Sequence, residues 1–134
     1  MNVQDIMTTR IECVDAESSV YDAVEKMVDK RIRSLVVKFP GKKINYGVIT
    51  ARDIVFKVFS KGMNPNDVKN SEIASKPVVC IDQGTDLIEA AKTMTNSNIA
   101  RIFVCDGDNI IGVVALIDLM SAALIMRARG EDVP

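Results

Sequence analysis

Gly47-Val48-Ile49-Thr50-Ala51-Arg52-Asp53 and Gly112-Val113-Val114-Ala115-Leu116-Ile117-Asp118 are one passage written twice. Each begins at a glycine, runs through apolar residues that suit a strand, and ends on an acid placed where a helix would start. Working outward, an offset of 67 positions pairs Ile6 with Ile73, Cys13 with Cys80, Asp15 with Asp82, Ala23 with Ala90, Met27 with Met94, Ile32 with Ile99 and Val37 with Val104. The passage itself repeats at an offset of 65, so the first copy carries two extra residues between Phe39 and Asn45. Such a difference belongs in a turn, where insertions are tolerated. An internal repeat of this kind decides the organisation before any local propensity is weighed. It predicts a first motif over residues 1–66 and a second over residues 67–134 that ends in a helical extension.

Within each copy the hydrophobic period switches in the same order. Ile11 and Cys13, like Val78 to Ile81, suit a short strand; Val20, Ala23, Val24 and Met27, like Leu87, Ala90, Ala91 and Met94, recur at helical spacing. Ser19 with Asp22, and Asp86 with Glu89, have the spacing of capping boxes. Leu35 to Val37 and Ile102 to Cys105 read as second strands. Each is followed by turn residues, Pro40-Gly41 and Asp106-Gly107-Asp108-Asn109. A third strand and a second helix complete βαββα, twice, an α+β fold. The first two strands are expected to be parallel and the third antiparallel. Because about 60 residues make a marginal core, the copies are expected to pack together about a pseudo-twofold axis, leaving clefts suited to ligands.

Composition narrows the function. The 134 residues carry 17 basic and 18 acidic side chains and no histidine. A Ser-His-Asp or Cys-His nucleophile, a histidine base and a His-ligated metal are thereby excluded. There is no GxxxxGK[ST] phosphate loop and no cysteine with a base nearby, so the residues argue against an enzyme and offer no metal site. Balanced charge without a basic run argues against nucleic acid as the main partner. Ile110 to Ile117 is the longest apolar stretch, far short of the roughly 20 residues that cross a bilayer. The N-terminus lacks the blocks of a signal peptide. Cys13, Cys80 and Cys105 lie in apolar runs without CxxC spacing and are read as buried thiols, which with the rest predicts a cytoplasmic protein.

Two readings of Thr50-x-x-Asp53 stand side by side. In the first the pair caps a helix, the carboxylate favoured by the helix dipole. In the second Asp53 accepts hydrogen bonds from the vicinal hydroxyls of a sugar and Thr50 adds another, since one carboxylate can take both protons.

The tandem βαββα units, the glycine-apolar-apolar-Thr-x-x-Asp run and the Ile32-Arg33-Ser34-Leu35 segment together resemble a CBS-domain pair, or Bateman module, over about Val3 to Ala123. The resemblance implies a regulatory sensor of an adenosine-containing ligand such as AMP, ADP, ATP or S-adenosylmethionine, with cyclic di-AMP a further candidate. It also implies a homodimer and an effector protein that the sequence does not name. Carried over by position, Thr50 and Asp53 would hold ribose, and Val48, Pro77, Val78, Val79 and Ile99 would flank the base. Arg33 and Arg101 would meet phosphate, for which a guanidinium fork is suited. Arg52 is either a helper with phosphate or an exposed first-turn residue. A second site would use Asp118, Val113, Arg101 and Arg10-Ile11-Glu12. There Ala115 replaces the hydroxyl residue and Glu12 brings negative charge, so weaker binding is expected. The alternative function is a dimerisation or interaction module that needs no ligand. Leu119, Ala122, Ala123 and Met126, at helical spacing, extend the last helix, which is expected to pack on a partner subunit.

Overall fold

A computed structural model describes residues 1–41, 45–76 and 78–131 of the chain. The elements are β1 (Cys13–Asp15), α1 (Val20–Lys30), β2 (Ser34–Phe39), β3 (Asn45–Thr50), α2 (Ala51–Lys57), α3 (Asn70–Ile73), β4 (Cys80–Asp82), α4 (Leu87–Ser97), β5 (Arg101–Asp106), β6 (Asn109–Ala115) and α5 (Leu116–Ala128). Single 3-10 turns lie at Val3–Asp5, Phe59–Lys61 and Pro65–Asp67. The order is βαββα twice, an α+β fold. In each copy three strands form one sheet in sequence order, the first pair parallel and the second antiparallel.

Local chemistry explains the helices. Ser19 Oγ accepts the Asp22 N–H at 3.4 Å and Asp86 Oδ1 accepts the Glu89 N–H at 2.9 Å, each satisfying an orphan donor of the first turn. Val20, Ala23 and Met27 of α1, and Leu87, Ala90 and Met94 of α4, form the buried stripes that the spacing predicts. Both helices end on a left-handed residue, Arg31 (φ 54°) and Asn98 (φ 51°), after which Ile32 and Ile99 donate back to Met27 and Met94.

The chain packs as two units, one of Glu12–Val78 and one of Met1–Ile11 with Val79–Pro134. Each has its own aliphatic core. Leu35, Val37, Ile49, Val58 and Ile73 are among the buried residues of the first, and Val3, Ile102, Val104 and Val114 among those of the second. The repeat changes over between residues 66 and 67, whereas packing changes over at 11/12 and 78/79. The segment leading each copy therefore sits in the unit built on the other copy. Val3 and Gln4 donate to Thr85 O and Gln83 O, and Thr8 exchanges two backbone bonds with Val113. In the same way Val20 donates to Val68 O, Asn70 donates to Ser18 O, and Val48 exchanges two bonds with Ser75.

These exchanges account for the glycine that opens the repeated passage. A Cβ on Gly47 would lie 2.9 Å from Ser75 O and 2.9 Å from the Phe39 ring, and one on Gly112 would collide with the Met7 side chain. A leading segment can run this close to β3 or β6 only where the strand lacks a side chain.

The cysteines differ from their expectation. Cys80 is exposed, Cys13 and Cys105 are half-buried, and Cys80 is bonded to Cys105 with the Cα atoms 6.0 Å apart. Strand alternation is the reason: Ile81 packs against the core, so its neighbours in β4 point away from it. An apolar run says that a strand is present, but not which of its residues face inward.

Candidate functional site

Thr50 ends β3 and begins α2. Its extended backbone (φ −115°, ψ 161°) lets Oγ1 accept the Asp53 N–H at 3.1 Å, while Asp53 Oδ2 accepts the Thr50 N–H at 2.9 Å. Two donors that would otherwise lack a partner are satisfied reciprocally, the geometry of a capping box. The second carboxylate oxygen, Oδ1, lies 3.3 Å from Lys57 Nζ, and that ammonium also donates to Ile73 O at 3.1 Å. The Asp53 side chain is 18% exposed. A carboxylate offers about four lone-pair sites, so with two engaged it keeps capacity for further donors.

Arg33 is brought beside this cap by its backbone: its carbonyl accepts the Ala51 N–H at 2.9 Å, and the next residue, Ser34, is the strand partner of Thr50. Its side chain is exposed. Val48 is half-buried two residues upstream on β3, and Val78 is half-buried at the end of the same unit. Thr50, Asp53, Arg33 and Val48 thus gather at one end of the β2–β3 hairpin. Pro77 lies outside the described residues. Arg52 is exposed and its guanidinium carbon sits 4.5 Å from the Phe56 ring centroid, a cation–π contact on its own helix.

The other unit repeats the arrangement with changed chemistry. Asp118 Oδ2 accepts the Ala115 N–H at 2.7 Å, and Leu116 donates to Ala100 O at 3.2 Å as Ala51 does to Arg33 O. Arg101 pairs with Ala115 across β5 and β6 and is half-buried. Ile99 is half-buried against the core, and Val79 O accepts the Phe103 N–H at 3.1 Å. Ala115 has no side-chain oxygen to return a bond, and the position matching Lys57 is the buried Ala122. The cap in this unit is therefore one-sided. Glu12 lies in the Glu12–Val78 unit, where Lys26 and Lys30 of α1 approach its carboxylate at 3.5 and 3.4 Å.

Lys57 and Ser75 escaped the reading of the sequence. Lys57 was open to detection, since an acid followed four residues later by a lysine on a helix is a recognised ion pair. Ser75 carried no signal, because its role is made by backbone atoms.

A separate feature lies on the second unit. Leu87, Ile88, Ala91, Leu119, Ala123 and Met126 are among the residues lining a largely apolar groove of about 400 Å³ between α4 and α5. On α5 the side chains of Leu116, Ile117, Met120 and Leu124 are each more than half exposed. No helix among the described residues is long and apolar enough to cross a membrane.

The CBS-domain family model matches residues 3–60 and 71–125. The chain belongs to the CBS-domain family, and as a pair of such domains it is a module of generally regulatory type. It is 36% identical over 108 residues to an uncharacterised protein of Methanopyrus kandleri, covering 80% of this chain and 55% of that relative, so it spans little more than half of that protein's length. Among solved structures it is similar to a hexameric CBS-CP12 protein from bloom-forming cyanobacteria, with TM-score 0.86 and 28% identity, covering 95% of this chain and 74% of that one. It is also similar to a putative signal-transduction protein with CBS domains from Burkholderia ambifaria, with TM-score 0.82 and 26% identity, covering 93% and 95%.

Proposed function

We propose that the chain is a non-catalytic sensor of an adenosine-containing ligand, AMP, ADP, ATP or a relative such as S-adenosylmethionine or cyclic di-AMP. The ribose is held by Asp53 and Thr50, Val48 lies beside the base, and Arg33 meets the phosphate. The observation that carries this reading is the end of the β2–β3 hairpin. There a carboxylate with unused lone pairs, a hydroxyl and an apolar flank lie beside the backbone of an exposed arginine. That set offers acceptors for vicinal hydroxyls and a fork for phosphate. The one-sided cap at Ala115 and Asp118 makes the matching place in the second copy the weaker one. A ligand acts on such a module only through its different affinities for two states.

One observation favours interaction with protein as well. The exposed apolar face of α5 suits self-association, and the hexameric relative is a precedent for assembly. A dimer built through that face would let a bound nucleotide be read by an effector.

Calorimetric titration of nucleotide-free protein with the five ligands, on wild type and on Asp53→Ala, tests the reading. Asp86→Ala serves as the matched control, because it also removes a helix cap. Both substitutions are expected to lower stability by about 1 kcal/mol. Only Asp53→Ala should abolish binding. Absence of binding in the wild type, or equal binding in the two variants, would leave Asp53 as a cap and the chain as an interaction module.

A further inference from the structure

The Cys80–Cys105 bridge has no equivalent in the other unit. By the repeat, Cys80 corresponds to Cys13 and Cys105 corresponds to Lys38. The registers match: Cys13 stands opposite Val36 with Lys38 two residues further along β2, and Cys80 stands opposite Phe103 with Cys105 two residues further along β5. One copy therefore carries a crosslink where the other, in the same parallel register, carries a thiol and a lysine; the β5–β6 pairing slips between Val104 and Cys105, where the β2–β3 pairing is regular.

Its position suits chemistry more than core packing. Cys80, Phe103 and Cys105 share the face of the sheet opposite to Ile81, Ile102 and Val104, which build the core of this unit. Cys80 is exposed and Cys105 half-buried, so an attacking thiolate can reach the bridge without unfolding the unit. Opening it leaves the aliphatic core intact. What it releases is β4, a strand of three residues, together with Val79, whose carbonyl is tied to Phe103.

We propose that Cys80 and Cys105 are a reversible thiol–disulfide pair that takes low-molecular-weight thiols and their disulfides as co-reactants, and that the pair sets how firmly β4 is fastened to β5. In the reducing direction a small thiolate attacks one bridge sulfur. The S–S bond breaks, the other cysteine leaves as thiolate, and a mixed disulfide forms. A second small thiol then displaces the first cysteine. Two equivalents of small thiol are oxidised to one small disulfide, and the bridge is reduced to two thiols. Oxidation by the small disulfide is the reverse. Cys13 takes no part, because the position of β2 that matches Cys105 is held by Lys38.

The test equilibrates the folded chain in mixtures of reduced and oxidised glutathione, quenches with acid, and counts N-ethylmaleimide adducts under denaturing conditions by intact mass. Three adducts are expected at the reducing end; at the oxidising end Cys80 and Cys105 lose theirs with no added mass while Cys13 carries either an adduct or one glutathione, with full return when the mixture is reversed. Cys13→Ser should show none and two. In Cys105→Ser each adduct lost at the oxidising end should be matched by one bound glutathione, whereas the bridge of the wild type forms with no added mass. Melting of the oxidised wild type should lie several degrees above that of the reduced form, since a crosslink restricts the unfolded chain, and Cys105→Ser should show no such difference. Three adducts in excess oxidised glutathione, a bridge that opens only in denaturant, or a crosslink that includes Cys13 would each overturn the proposal.

Discussion

Asn70 is fully buried, and its environment is the reverse of an ordinary buried amide. Its Nδ2 donates to Asp15 O at 3.1 Å and to Ser18 Oγ at 3.0 Å, but Oδ1 has no partner among the described residues. An orphaned buried carbonyl costs about 1 to 3 kcal/mol, while each neutral bond returns about 1. Those terms nearly cancel. Removing the amide strands little, because Ser18 Oγ itself donates to Asp15 O at 2.8 Å. The repeat places Val3 at the matching position, also fully buried. Asn70→Val is therefore expected to leave stability unchanged or to raise it by up to about 1 kcal/mol, measured by urea unfolding. A loss of about 2 kcal/mol would show that the two amide bonds outweigh the orphan. At this scale the sequence was uneven in what it disclosed. Thr50 and Asp53 stand at a spacing whose geometry is nearly forced, so their reciprocal bonds were legible. The burial of Asn70 was hidden because a polar residue in a turn-rich stretch reads as solvent-exposed.

The helices show the same logic one level up. Both α1 and α4 close through a left-handed residue, Asn98 in one copy and Arg31 in the other. Contact between Cβ and the following carbonyl disfavours that conformation for both residues, and asparagine offsets it with a short polar side chain that can hydrogen-bond locally. Arg31 is exposed. Arg31→Asn should therefore stabilise the Glu12–Val78 unit by up to about 1 kcal/mol, seen as a higher melting temperature with nucleotide binding unaltered. A fall in stability would mean that the arginine side chain contributes more than its backbone costs. Strands and helices were readable because their periods of 2 and 3.6 are written in the apolar residues. The facing of three-residue strands was not, since β4 offers one inward residue, Ile81, and no alternation to count. That is why the cysteines were misjudged while the strand containing Cys80 was not.

At the scale of the whole chain, the repeat and the packing divide the residues at different places. Identities at an offset of 67 mark where the sequence begins again, and nothing in them reports which core a leading segment enters. The entry is decided by contacts too distant in sequence to leave a pattern: Val68 and Ile73 bury themselves in the core of Glu12–Val78, and Val3 does so in the core that contains Ile102. A chain cut at the repeat boundary and one cut at the packing boundary should consequently behave differently. A fragment of residues 1–66 lacks Val68 and Ile73, each worth about 1.5 to 3 kcal/mol when fully buried. That is a large share of the stability open to about 60 residues. It also lacks Ser75, the partner of Val48 beside the candidate site. A fragment of residues 12–78 retains all three. The expected result is a cooperative urea transition for residues 12–78 and a broad or absent one for residues 1–66, followed by circular dichroism at matched concentration. Equal transitions would mean that the leading segments add little to the cores they enter. The close approach at Gly47 and Gly112 would then need another cause.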